Sequence, residues 1–177
     1  MDKLLELLDQ TWTIREYNFT TKRMQYYETI FTLGNGYLGT RGAFEENYRL
    51  RKPATYLAGL FDQAPNEVTE LPNAPDWVSI ELELAGERLN LETGELLTYQ
   101  RYLDLKQGIL CRELRWRSPQ GKITKLSYQR FVSIQDQHLM GTRVLITPEN
   151  YSGTIKVSSV LNGQVTNEGT QHFTALE

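Results

Sequence analysis

From residue 78 onward, apolar and polar positions alternate with a period of two. Val78, Ile80, Leu82 and Leu84 are interleaved with Ser79, Glu81 and Glu83, the pattern of a strand with one buried and one wet face. Ala85-Gly86-Glu87 reads as a turn, after which Leu89 and Leu91 resume the alternation. Leu110, Leu114 and Trp116 alternate with Glu113, Arg115 and Arg117, and Ser118-Pro119-Gln120-Gly121 carries proline and glycine where a type I turn takes them. Further strands are expected over residues 123–134, 138–147 and 154–161, the last ending at Asn162-Gly163. Upstream, residues 12–19, 26–33, 37–41 and 54–61 read as strand candidates. Helix is confined to residues 1–10, where Leu4, Leu5, Leu7 and Leu8 oppose Asp2, Glu6 and Asp9, with a second short candidate at 103–107. Turn signals recur roughly every ten residues, which predicts a mainly β, antiparallel β-sandwich with a short N-terminal helix.

Composition narrows the partners. At 177 residues the chain has room for one domain, spanning residues 1–177, with a core that needs no staples. The formal net charge of −3 argues against a nucleic-acid binder that relies on phosphate contacts. A single cysteine, Cys111, excludes an intramolecular disulfide framework and a multi-thiolate zinc site. His138 and His172 are too far apart for metal-ligand spacing, so neither metal nor cofactor is expected. No apolar run approaches the ~18 residues that span a bilayer, and the acids in the first ten residues interrupt any export signal. The cytoplasm is the default compartment for such a chain.

Three groups of residues invite a chemical reading. Gly34, Gly36 and Gly39 reproduce the Gly-x-Gly-x-x-Gly spacing, and Gly42 follows. A dinucleotide site also needs a following helix, and none is patterned here, so a tight turn closely approached by another backbone is the better reading. Acidic pairs occur at Glu45-Glu46, Glu67 with Glu70, and Glu81 with Glu83. Glu81 and Glu83 share the solvated face of one strand, whereas Glu45-Glu46 follows the glycine segment and can reach a neighbouring surface. Among the aromatics, Trp116 falls in the apolar register of its strand, while Trp77 and the Tyr26-Tyr27 doublet are candidates for exposed rings. Cys111 reads as an inert small residue.

The run from Glu28 through Leu33-Gly34-Asn35-Gly36-Tyr37-Leu38-Gly39-Thr40-Arg41-Gly42 to Glu45-Glu46 resembles the N-terminal domain of glycoside hydrolase family 65, the family of maltose, trehalose and kojibiose phosphorylases. The resemblance continues in order through Thr55-Tyr56-Leu57, Pro72-Asn73-Ala74-Pro75-Asp76-Trp77, Tyr99-Gln100-Arg101-Tyr102, Arg130-Phe131-Val132 and Leu161-Asn162-Gly163. It implies a large twisted antiparallel sandwich, of the galactose-mutarotase-like super-sandwich kind, that precedes an (α/α)6 catalytic barrel in the same polypeptide. It also implies that the general acid and the phosphate-binding groups lie in that barrel. No catalytic residue is therefore assigned to this chain. The expected role is to buttress the barrel and shape the active-site entrance, with homodimer contacts in the full-length enzyme a further role. Asn35, Arg41 and Glu45 are the candidates for interdomain contacts. The alternative is a stand-alone carbohydrate-binding module that uses Trp77 or Tyr26 as a platform.

Overall fold

A computed structural model describes residues 12–65 and 67–173. The amphipathic stretch at residues 1–10 lies outside them. The described residues form eleven strands and one α-helix: β1 (Thr13–Glu16), α1 (Met24–Ile30) after a 3-10 turn at Thr21–Arg23, β2 (Leu33–Gly34), β3 (Leu38–Thr40), β4 (Thr55–Leu57), β5 (Ile80–Leu84), β6 (Glu87–Arg88), β7 (Glu95–Asp104), β8 (Ile109–Arg117), β9 (Ile123–Val132), β10 (Met140–Pro148) and β11 (Ile155–Ser159). All strand pairs are antiparallel, as the turn spacing predicts.

The strands form a five-stranded sheet, β1-β7-β8-β9-β10, and two three-stranded sheets, β11-β5-β6 and β2-β3-β4. One face of the large sheet is covered twice. Leu114, Trp116, Leu126 and Tyr128 pack against Ile80, Leu82 and Leu84 of the β5 sheet, with Phe44 and Tyr48 between them. Further along the same strands, Leu103, Leu110 and Val132 pack against Phe31, Leu33 and Leu38 of the β2–β3 hairpin. Inward positions on β8 and β9 are buried and the alternating ones mostly carry polar side chains, which is the one-sided pattern of a sandwich. Trp116 lies in the core as expected, 1% exposed, with its indole N–H donating to the Thr93 carbonyl at 2.9 Å.

Three local expectations need correction. Residues 26–33 read as a strand but begin in α1. The buried stripe is Met24, Glu28 and Phe31, spaced as on a helix, and a buried glutamate in the middle of that stripe hides the period. The ten-residue strand β7 was not anticipated, because its register against β8 shifts between Leu96 and Thr98 and breaks the alternation. Residues 103–107 do not coil. The strand runs to Asp104, whose carboxylate accepts the Lys106 and Gln107 N–H groups at 2.9 Å and closes a turn through Gly108 (φ +68°).

Candidate functional site

The glycine segment folds as a hairpin. Gly34 pairs with Gly39 and Leu33 with Thr40, and Gly36 takes φ +88° at the turn. Asn35 organises this turn. Its Oδ1 accepts the Tyr37 and Leu38 N–H groups at 3.0 and 2.9 Å, and its Nδ2 donates to the carbonyls of Ser133 and Gln137 at 2.7 and 3.0 Å. The hairpin is thereby tied to the β9–β10 connection, and Tyr37 stands edge-on to His138 at 4.6 Å. After Thr40 the chain enters a loop rather than a helix, which removes the dinucleotide reading.

That loop carries Ala43, Phe44, Glu45 and Glu46 beneath the large sheet, and all four are buried. Opposite them lie three buried arginines: Arg101 on β7, Arg112 on β8 and Arg130 on β9. Arg101 and Arg112 are direct cross-strand partners, a like-charge pairing that requires compensation. Glu46 supplies it by accepting both terminal nitrogens of Arg112 at 2.8 Å, and Glu45 lies 2.8 Å from Arg112 on one oxygen and bonds Arg130 with the other. Arg101 donates to the Gly42 carbonyl and faces Glu16 at 3.9 Å. Phe44 fits between the guanidiniums, 4.2 Å from that of Arg101 and 5.1 Å from that of Arg112, and Arg112 lies 4.1 Å from the Tyr128 ring. The charges form a belt between the two apolar halves of the core: Leu103, Leu110 and Val132 lie on one side, and Leu114, Leu126 and Tyr128 on the other.

The belt is a structural device rather than an acid–base pair. Burial pushes Glu45 up, but Arg112 and then Arg130 outweigh it and hold the carboxyl well below the usual range, so it has no proton to give at neutral pH. Burial keeps Glu16 above its ordinary value despite Arg101 and the Tyr99 hydroxyl, which donates to it at 2.8 Å. The three arginines were missed in sequence because each interrupts an otherwise apolar inward series. The signal that finds them is a basic residue repeated at the inward position of three neighbouring strands.

The remaining candidates are separated by the fold. Arg41, about a quarter exposed, donates to the carbonyls of Lys52 and Gln25 at 3.1 Å and lies 3.7 Å from Glu28. Trp77 is half-buried and donates to Thr55 at 3.2 Å. Tyr26 is exposed on α1, edge-on to Tyr27 and under Arg23. Glu81 and Glu83 face solvent and pair with Arg88 and Lys156. Beside the Asn35 hairpin, the end of the large sheet opens into an apolar groove of about 420 Å³ lined by Leu33, Leu103, Leu105, Ile109, Phe131 and Val132. Its rim leaves Ile134 76% exposed and Leu105 48% exposed.

A sequence profile described as the N-terminal domain of glycosyl hydrolase family 65 matches residues 14–177. The chain belongs to this family as its N-terminal domain. The family 65 domain is 49% identical over 164 residues to a kojibiose phosphorylase of Halothermothrix orenii, covering 93% of this chain and 21% of that protein. It is 36% identical over 173 residues to an α,α-trehalose phosphorylase of Thermoanaerobacter brockii, covering 89% of this chain and 22% of that protein. The chain thus spans about a fifth of the length of the curated relatives it matches. A solved candidate kojibiose phosphorylase from the human microbiome shares its fold, with a TM-score of 0.83 at 24% identity over 92% of this chain and 23% of that one. Among the described residues, no helix is long and apolar enough to cross a membrane.

Proposed function

We propose that residues 1–177 act as the non-catalytic N-terminal β-sandwich of a family 65 α-glucoside phosphorylase or hydrolase, docking against a helical catalytic barrel in the same polypeptide. The supporting observation is the apolar groove beside the Asn35 hairpin. A folded domain rarely leaves several large aliphatic side chains at the mouth of one concavity unless something covers it. The relatives are about fivefold longer, and the occupant in this reading is an apolar helix face of the barrel. Asn35 fixes the hairpin that forms one wall, and Arg41 keeps one guanidinium nitrogen, Nη1, for a contact outside the chain. Glu45 contributes indirectly, by holding the loop that follows the hairpin against Arg112 and Arg130. The reading includes a cytoplasmic location and leaves homodimer contacts to the full-length polypeptide.

The test compares the 177-residue chain with the chain extended through its own downstream reading frame. The chain alone is expected to turn over no kojibiose, trehalose or maltose, with or without phosphate. The extended protein is expected to be active, and Ile134→Lys in it to lower thermal stability while leaving the unfolding temperature of the short chain unchanged. Turnover by the short chain, or an extended protein indifferent to Ile134→Lys, overturns the reading.

A further inference from the structure

On another part of the surface, unconnected with the apolar groove, the chain forms a polar cleft of about 610 Å³. Its volume falls within the roughly 300–1,000 Å³ typical of small-molecule sites. Its floor is rigid. Arg51 grips Asp76 through both terminal nitrogens at 2.6 and 3.0 Å and donates its Nε to the Phe44 carbonyl at 2.5 Å, while Ser79 donates to the same carboxylate at 2.7 Å. Asn73 accepts the Thr55 N–H at 3.0 Å and donates to the Pro53 carbonyl at 3.1 Å. Asp76 and Asn73 are both buried, so this floor is built into the domain and does not form on binding.

The walls differ from the floor. Asn47, Tyr56 and Gln164 line the cleft, and their side chains make no hydrogen bond within the described residues. Asn162 engages only its Oδ1, with the Gln164 N–H at 2.9 Å, leaving its amide nitrogen open. The cleft thus presents planar amides able to donate and accept at once, next to a tyrosine ring that is 39% exposed. The charged groups are nearly balanced, with Arg41, Arg51 and Lys52 against Asp76 and Glu168. Arg51 is consumed by Asp76, and Arg41 spends Nε and Nη2 on two carbonyls while facing Glu28. A phosphate or other small anion would find the Lys52 ammonium and one nitrogen of an Arg41 already facing a carboxylate, rather than a converging cluster. An apolar ligand would find no apolar floor.

We infer that this cleft is a binding site for a neutral saccharide. Vicinal hydroxyls each offer one donor and two acceptor positions, which amides satisfy in pairs, and a sugar ring's C–H face packs on an aromatic plane. The inference does not depend on the docking reading, since the cleft shares no lining residue with the apolar groove and needs no partner domain. It also relocates the sugar platform expected at Trp77 or Tyr26. Trp77 has its indole N–H engaged by Thr55, Tyr26 stands on an open helix face, and Tyr56 is the aromatic residue that lines this cleft.

The experiment is titration of the 177-residue chain with kojibiose, trehalose and maltotriose, followed by backbone amide NMR and calorimetry, with inorganic phosphate as a separate arm. The expected result is saturable binding to at least one of the sugars with a Kd of about 1 mM or tighter, with shift changes at residues 47, 56 and 162–166. Tyr56→Ala and Gln164→Ala are each expected to weaken it about tenfold, or about 1.4 kcal/mol. Both side chains are exposed, so the variants are expected to keep the parent unfolding temperature, and the second stands if the first does not fold. No saturation with any sugar, saturation with phosphate alone, or sugar binding unchanged in both variants overturns the inference.

Discussion

Replacing Arg112 with methionine tests the charge belt most directly. Methionine keeps much of the aliphatic length of arginine but removes the guanidinium that bonds both oxygens of Glu46 and touches Glu45. Glu45 keeps Arg130, whereas Glu46, only 5% exposed, keeps a 3.3 Å hydrogen bond from the Tyr128 hydroxyl and no cation. Breaking a buried pair from one side typically costs about 3–5 kcal/mol, because the remaining charge stays desolvated. Against a total stability of about 5–15 kcal/mol, that is a large fraction, and for a chain of this size it corresponds to a drop of about 6–20 °C in Tm. Urea unfolding at pH 7 measures it. The double variant Arg112→Met/Glu46→Gln is expected to recover part of the loss, since it removes the orphaned charge. A loss below about 1 kcal/mol at pH 7 would refute the view that these charges are buried and mutually dependent.

Two further outcomes follow from local geometry. Gly42→Ala would place a Cβ 2.6 Å from Phe31 Cβ and 2.7 Å from its carbonyl oxygen, forcing the loop of Glu45 and Glu46 away from α1; a loss of about 1–3 kcal/mol in chemical unfolding is expected, and a neutral variant would show that the approach is not tight. His172 is held by Asp62 on Nδ1 and Glu70 on Nε2, both at 2.8 Å, and these bonds, Asp62 first, raise its pKa above the ordinary value. The stabilisation is therefore complete below about pH 6.5 and is lost as pH rises through the raised value, so the Tm gap between parent and His172→Ala is expected to close in mildly alkaline buffer; a gap that widens there would reject the clasp.

Much of the sandwich is legible along the chain. Strand β5 places apolar side chains at every second position, and β8 and β9 do so except at Arg112, Thr124 and Arg130, as a strand with one buried face largely must. Asn35-Gly36 announces its turn because glycine tolerates the positive φ and asparagine closes the turn with its own side chain. The ordered motif blocks, read together, identify the family, and the profile match over residues 14–177 agrees.

The missed features share one cause, which is that polar residues were placed by partners remote in sequence. Glu28 is buried in α1 because it accepts the Lys52 N–H at 3.1 Å from 24 residues away, and so it masks the helical stripe that Met24 and Phe31 would otherwise show. Arg101, Arg112 and Arg130 look like surface residues until β7, β8 and β9 are laid side by side. Only then do Arg101 and Arg112 turn out to be cross-strand partners with Arg130 on the same inward face, and only then does the need for Glu45 and Glu46 beneath them become visible. The polar cleft draws its lining from stretches near residues 25, 50, 75 and 165, which no periodicity links. Local pattern decides which face of an element is apolar, because that depends on neighbours two to four positions away. Which buried charges meet, and where polar side chains converge on a cleft, depends on chain crossings that only the tertiary structure supplies.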